Sequence, residues 1–169
     1  RYASRGLGDV YKRQLNEFAS SDNEQPFFLA VGFLRPHTPL IAPQKYFDMY
    51  PIEDIQLANI LENDKDDTFR NYDLNYKNLL IETEKKGSSP THQQLTRRWI
   101  EMFENLEKSY DDPEEGLKRF TQAYLACVSA VDDNIGQVMN AIDNSRLKDN
   151  TIIILVSDHG WTMGEKDHV

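Results

Sequence analysis

Two histidines and one aspartate occupy positions from which they could act on a bound ligand. His37 lies between two prolines in the segment Arg35–Pro39, and Asp158 and His159 follow an apolar run after one intervening residue, Ser157. A carboxylate next to an imidazole is a donor pair suited to a divalent cation. An imidazole also transfers protons readily near neutral pH. These residue types therefore favour a metal site with a histidine beside it.

Each of these residues also has an ordinary structural interpretation. Asp158 could cap the following turn while His159 is simply exposed. His37 could be a structural histidine that bonds a loop carbonyl. Arg35 could bind an anion, although covering a sheet edge with its aliphatic stem is the more common arrangement. Spacing alone does not separate these alternatives.

The sequence offers no convincing nucleophile. Cys127 lies on the apolar stripe of a predicted helix, where a thiol is usually an inert core residue. Ser88 and Ser89 lie near His92, in a polar stretch with nothing to orient a base. A site with candidate metal ligands but no nucleophile predicts that the nucleophile lies outside this chain.

Two apolar runs would bring the candidate residues to one edge of a sheet. Residues 27–33 and 151–156 are apolar and rich in strand formers, as in strands that are buried on both faces. A helical segment between them predicts a crossover and parallel pairing. Because such sheets bind ligands beyond the carboxyl ends of their strands, His37 would meet Asp158 and His159 there. The predicted class is α/β, a doubly wound, largely parallel sheet flanked by helices.

Helical spacing marks the remaining elements. The apolar residues between Phe120 and Ile142 keep one stripe over several turns and predict a long helix, whose acidic pair Asp132-Asp133 is expected to form a solvated face. Trp99, Phe103, Leu106 and Tyr110 predict a second helix, and Pro43 opens a short one that continues to Tyr50.

The remaining segments set the expected domain limits. Residues 1–14 show no sustained period and are predicted to be non-native or disordered, which leaves residues 15–169 as the domain proper. Residues 52–98 are polar and predict a surface insertion.

Composition excludes some classes of partner. The net charge of -9 would repel a phosphate backbone, so nucleic acid is not an expected partner. No apolar run approaches the roughly 20 residues that span a bilayer. One cysteine cannot form an internal disulfide, and this leaves the compartment open.

Several long blocks resemble the sulfatase family, in particular its iduronate-sulfatase-like branch. They recur in the family's order and cover most of the chain outside the polar insertion: Pro26–Pro39, Ala42–Pro51, Tyr124–Asp132, Leu147–Trp161 and Met163–His168. The resemblance implies an alkaline-phosphatase-like α/β fold, a calcium ion and a formylglycine nucleophile made from Cys or Ser. It also implies that Asp158 and His159 bind the metal and that His37 faces the sulfate or the leaving oxygen. The implied substrate is a sulfate ester, such as that of a sulfated carbohydrate, and the implied location is periplasmic or secreted.

The sequence also departs from the family pattern. It lacks the formylglycine motif and the paired aspartates that the family supplies near its N-terminus. The imidazole of His159 suits calcium poorly, so another divalent cation is an alternative. We therefore expect the central part of one sulfatase domain, with no turnover from this chain alone. A phosphoryl or phosphonyl hydrolase of the same superfamily and a non-catalytic sulfatase-like protein are the alternatives.

Overall fold

Four α-helices form the regular part of the residues that the structure describes. The computed structural model describes residues 7–20, 25–61 and 92–167. The helices are α1 (Leu7–Ser20), α2 (Gln44–Phe47), α3 (His92–Lys108) and α4 (Pro113–Asp143), with 3-10 turns at Ile52–Asp54 and Glu165–Asp167. The chain divides into two units, Arg1–Tyr50 with Ala123–Ser157 and Pro51–Gln122 with Asp158–Val169.

The three predicted helices are present, although α2 ends at Phe47 and does not continue to Tyr50. Local chemistry explains where α4 begins. Pro113 is the first helical residue, where its missing N–H costs nothing because that group would have no helical partner. The side chain of Asp112 accepts a hydrogen bond from the backbone N–H of Glu114 at 3.0 Å, which caps the first turn. The acidic Glu114 and Glu115 then complement the positive end of the helix dipole.

Helix α1 corrects the expectation that residues 1–14 form no element, because it begins at Leu7. Its apolar face lies in its second half, where Leu15 is buried against Ile142 and Leu147. The ring of Phe18 stacks on that of Phe27 with centroids 4.5 Å apart. Tertiary packing of this short apolar face, rather than a long periodic pattern, stabilises the helix.

The two predicted strands are absent from the described residues, which contain no β-strand. Residues 27–33 are irregular, and Phe28 is 92% exposed. Residues 151–156 are also irregular, and Ile152 is 90% exposed. Phe27 and Leu29 pack against the core around Leu15, so only one face of the first segment is partly covered. A strand of a parallel sheet needs hydrogen-bonded neighbours and two covered faces, and the described residues do not provide both for either segment.

A second core lies in the other unit and includes residues at the start of the predicted polar insertion. Phe103 and Leu117 are buried there, and partly buried apolar side chains pack against them: Leu57, Met102, Leu106 and Phe120. Ile55 is also buried. Ile55, Leu57 and α3 therefore take part in packing, and the insertion over residues 52–98 stays a prediction. Residues 62–91, which include Ser88 and Ser89, lie outside the described residues.

Cys127 has the structural role predicted for it. Its side chain is 0% exposed within α4. Burial raises the pKa of the Cys127 thiol, and the nearby positive charge of Arg35 opposes this shift to a smaller extent. The thiol is therefore held in its protonated, unreactive form.

Candidate functional site

His37 lies at the surface on a short turn held by its own backbone. The N–H of His37 donates to the carbonyl of Leu34 at 3.0 Å. Its ring Nδ1 lies 2.6 Å from the carbonyl oxygen of Thr38. Because a carbonyl only accepts, Nδ1 carries the proton, and Nε2 is the acceptor nitrogen of the neutral ring. The hydrogen bond from the His37 ring to a loop carbonyl, expected of a structural histidine, is thus present. The same bond fixes the tautomer in which Nε2 can take up or return a proton.

The Arg35 side chain donates two hydrogen bonds to backbone carbonyls near His37. Its Nε donates to the carbonyl of Ile41 at 3.2 Å, and its Nη1 donates to the carbonyl of His37 at 3.0 Å. The guanidinium thereby joins two points of the loop that carries His37. Sequence reasoning missed this arrangement, since a side chain that bonds backbone carbonyls leaves no periodic signal.

The segment after this loop is fixed to α4 by polar side chains. Tyr46 is buried, and its hydroxyl donates to Asp133 at 2.6 Å, while the Lys45 ammonium donates to the same carboxylate oxygen at 3.0 Å. The hydroxyls of Tyr50 and Ser129 share a hydrogen bond of 2.6 Å. Asp133 is therefore more than the solvated helix face that its sequence context predicts, because it ties α2 to α4.

We expect Asp133→Asn to lower the melting temperature of the full-length protein at neutral pH but not in strong acid. Hydrogen bonds from Tyr46 and then Lys45 lower the pKa of Asp133. A carboxyl whose folded pKa lies below its unfolded value of about 3.9 adds stability above that pH. The contribution disappears as the pH falls through the folded pKa, so melting curves of both proteins should converge there.

Asp132→Asn is the matched control for this experiment. Asp132 is the preceding residue and is exposed, so its substitution should leave the melting temperature nearly unchanged at every pH. If Asp133→Asn lowered the melting temperature equally at all pH values, the loss would come from packing and not from the charge.

Asp158 and His159 form a local donor pair. Asp158 Oδ1 accepts the backbone N–H of His159 at 3.0 Å, and Asp158 Oδ2 lies 3.7 Å from His159 Nε2. The two side chains are 89% and 64% exposed, so a ligand can reach both. His159 Nδ1 lies 2.8 Å from the carbonyl of Gly160, which makes Nε2 the acceptor nitrogen of the neutral ring. Metal-binding histidines commonly donate their other ring N–H to a carbonyl in this way.

The residues that follow this pair are held against the core of their own unit. The ring of Trp161 lies 6.3 Å from that of Phe120. Gly164 adopts a φ of 110°, and a Cβ there would lie 3.0 Å from Ile60 and 3.3 Å from Leu117. A side chain at this position would be strained and crowded, so glycine is required for the loop to pack closely.

The donor pair fits two positions of a divalent cation site. A carboxylate and an Nε2 separated by 3.7 Å can both reach one cation. Over residues 7–20, 25–61 and 92–167, no group of three or more His, Cys, Asp or Glu side chains is arranged to hold a metal ion.

The structure describes the two halves of the candidate site separately. His37 belongs to the first unit, and Asp158 and His159 belong to the second. Their convergence around one cation stays a prediction. Among the described helices, none is both long and apolar enough to cross a membrane.

Comparison with known proteins shows the family to which the chain belongs. The family model for the sulfatase family matches residues 5–169, which include His37, Asp158 and His159. The chain belongs to the sulfatase family. No solved structure gives a significant match.

Curated relatives agree with this assignment. A sulfatase of Formosa agariphila is 40% identical over 143 residues, which cover 85% of this chain and 24% of the relative. Mouse iduronate 2-sulfatase is 34% identical, covering 83% of this chain and 22% of the relative. An arylsulfatase of Clostridium perfringens is 31% identical, covering 92% and 26%. This sulfatase family chain thus spans about a quarter of the length of these relatives.

Proposed function

We propose that the full-length protein is a hydrolase that cleaves sulfate esters with the help of a metal ion, with His37 acting at the ester oxygen. The observation that carries this proposal is the match of the sulfatase family to residues 5–169, across both candidate loops. The exposed His37 ring and the exposed donor pair at Asp158 and His159 add chemical support, since each can reach a ligand.

His37 would assist departure of the alcohol. As the sulfur–oxygen ester bond breaks, its electron pair goes to the leaving oxygen, which then needs a proton or a hydrogen bond. The protonated imidazole gives up the Nε2 proton, while Nδ1 keeps its bond to the Thr38 carbonyl. The ring therefore returns to the neutral tautomer that the loop already favours.

Asp158 and His159 would hold the metal ion through a carboxylate oxygen and Nε2. A cation held there would offset the negative charge on the sulfate oxygens during attack at sulfur. Calcium is proposed from the family resemblance, and the imidazole ligand leaves another divalent cation as the alternative.

The remaining parts of the proposal concern the full-length protein. We infer a formylglycine nucleophile supplied by a segment outside these residues, and an α/β fold in which residues 27–33 and 151–156 are strands of a doubly wound sheet. The run of exposed apolar side chains from Ile152 to Val156 supports this fold, because such a surface is normally covered. The similarity to iduronate 2-sulfatase supports a sulfated carbohydrate as substrate. A periplasmic or secreted location remains a prediction from the family resemblance.

Paired substrates provide the direct test. The full-length protein should release 4-nitrophenol from 4-nitrophenyl sulfate with a higher kcat/KM than from 4-nitrophenyl phosphate, and EDTA should remove this activity. A preference for the phosphate ester would instead support a phosphoryl hydrolase. Absence of turnover in metal-loaded protein whose formylglycine is verified by mass spectrometry would indicate a non-catalytic sulfatase-like protein.

A further inference from the structure

We propose that Arg35 is a positioning residue that sets the place of the His37 imidazole. This inference rests on the proposed function, in which His37 acts at the ester oxygen. It concerns how the loop is held and assigns no contact between Arg35 and the substrate.

Hydrogen bonds hold the backbone of His37 at both its N–H and its carbonyl. Arg35 donates through Nη1 to the carbonyl of His37 itself and through Nε to the carbonyl of Ile41. The N–H of His37 is bound in turn to the carbonyl of Leu34. Both the N–H and the carbonyl of His37 therefore take part in hydrogen bonds. One planar guanidinium also holds the carbonyl of Ile41 at a fixed distance from that of His37.

Two separate donors on a rigid plane are essential to this arrangement. A guanidinium presents its N–H groups in a fixed fork, whereas a lysine ammonium is a single point on a flexible stem. Arg35→Lys would keep the positive charge but could not span the carbonyls of His37 and Ile41 in the same geometry. If Arg35 instead bound the anionic substrate through its charge, lysine would replace it.

Leaving-group dependence separates a positioning role from anion binding and from a general loss of structure. In the full-length protein, Arg35→Lys and Arg35→Gln should both lower kcat by up to about 10²-fold for phenyl sulfate, whose phenolate is a poor leaving group. The loss should be much smaller for 4-nitrophenyl sulfate, whose leaving group needs little protonation, and KM should change little. Arg146→Gln is the control, since Arg146 also donates to a backbone carbonyl, that of Phe18, far from this loop in sequence.

Three results would overturn the inference. A higher KM for all aryl sulfates, restored by Arg35→Lys, would make Arg35 an anion-binding residue. An equal loss of kcat for good and poor leaving groups would show a general structural effect. Full activity of both variants would show that the two bonds are dispensable.

Amide hydrogen exchange gives a readout that does not depend on turnover. The two hydrogen bonds from Arg35 to the carbonyls of His37 and Ile41 are here called the bracing of the turn. Peptides covering residues 33–43 should exchange faster in Arg35→Gln than in the wild-type protein, because this bracing is lost. If the wild-type protein had no sulfatase activity while exchange still increased, the proposed function would fail and the bracing would stand. Unchanged exchange would rule out the bracing itself.

Discussion

His37→Asn in the full-length protein is expected to lower kcat for phenyl sulfate by about 10²–10⁴-fold, the usual contribution of a general acid. Asparagine places an amide N–H near the position of Nδ1, so the bond to the Thr38 carbonyl can be kept. The acceptor and proton carrier at Nε2 is lost. The substitution therefore removes the proposed chemistry while preserving the loop contact.

Metal content and loop protection serve as controls for this variant. His37→Asn should retain its metal, measured by atomic emission, and should show wild-type amide exchange over residues 33–43. If kcat for phenyl sulfate were unchanged, His37 would be the structural histidine that its bond to Thr38 also allows. A loss of metal together with activity would place His37 among the ligands instead.

The sequence was most informative where stabilising contacts are local. The stripe from Phe120 to Ile142 repeats with the helical period, and the structure forms α4 over Pro113–Asp143. Asp112 and Pro113 mark its start through a cap and a fixed φ, both of which depend on neighbouring residues. Such features need no knowledge of distant parts of the chain.

Prediction was weaker where an element depends on distant partners. Residues 151–156 have the composition of a buried strand, but a strand forms only when hydrogen-bonded neighbours are present. Helix α1 was missed because it also depends on distant partners. Its pattern is short, and its stability comes from Leu15 packing on Ile142 and Leu147, more than a hundred residues later.

The candidate site shows the same division between residue type and arrangement. His37, Asp158 and His159 could be selected because prolines, an apolar run and a glycine surround them in the sequence. The hydrogen bonds that hold the segment around His37 could not be predicted from the sequence. Asp133 bonds Tyr46 across 87 residues, and Arg35 bonds carbonyl groups, which every residue possesses.

Asp158→Asn in the full-length protein is expected to weaken metal binding by at least about 10-fold, since even partners outside the ligand shell typically contribute 10–100-fold. The amide keeps an oxygen that can accept the His159 N–H, so the local turn is preserved. It removes the negative charge that attracts the cation. Dialysed protein should therefore contain less metal, and kcat/KM should fall in proportion and recover with added cation.

Asp149→Asn is the matched control, because it also neutralises an exposed carboxylate shortly before the same apolar run. It should leave both metal content and kcat/KM unchanged. Equal metal affinity in wild type and Asp158→Asn would remove Asp158 from the site, and the donor pair would then be a turn stabilised by the bond from His159 N–H to Asp158. If Asp158→Asn bound metal more weakly and added cation restored its activity, the Asp158 carboxylate would act on the cation through its charge, as a direct ligand does.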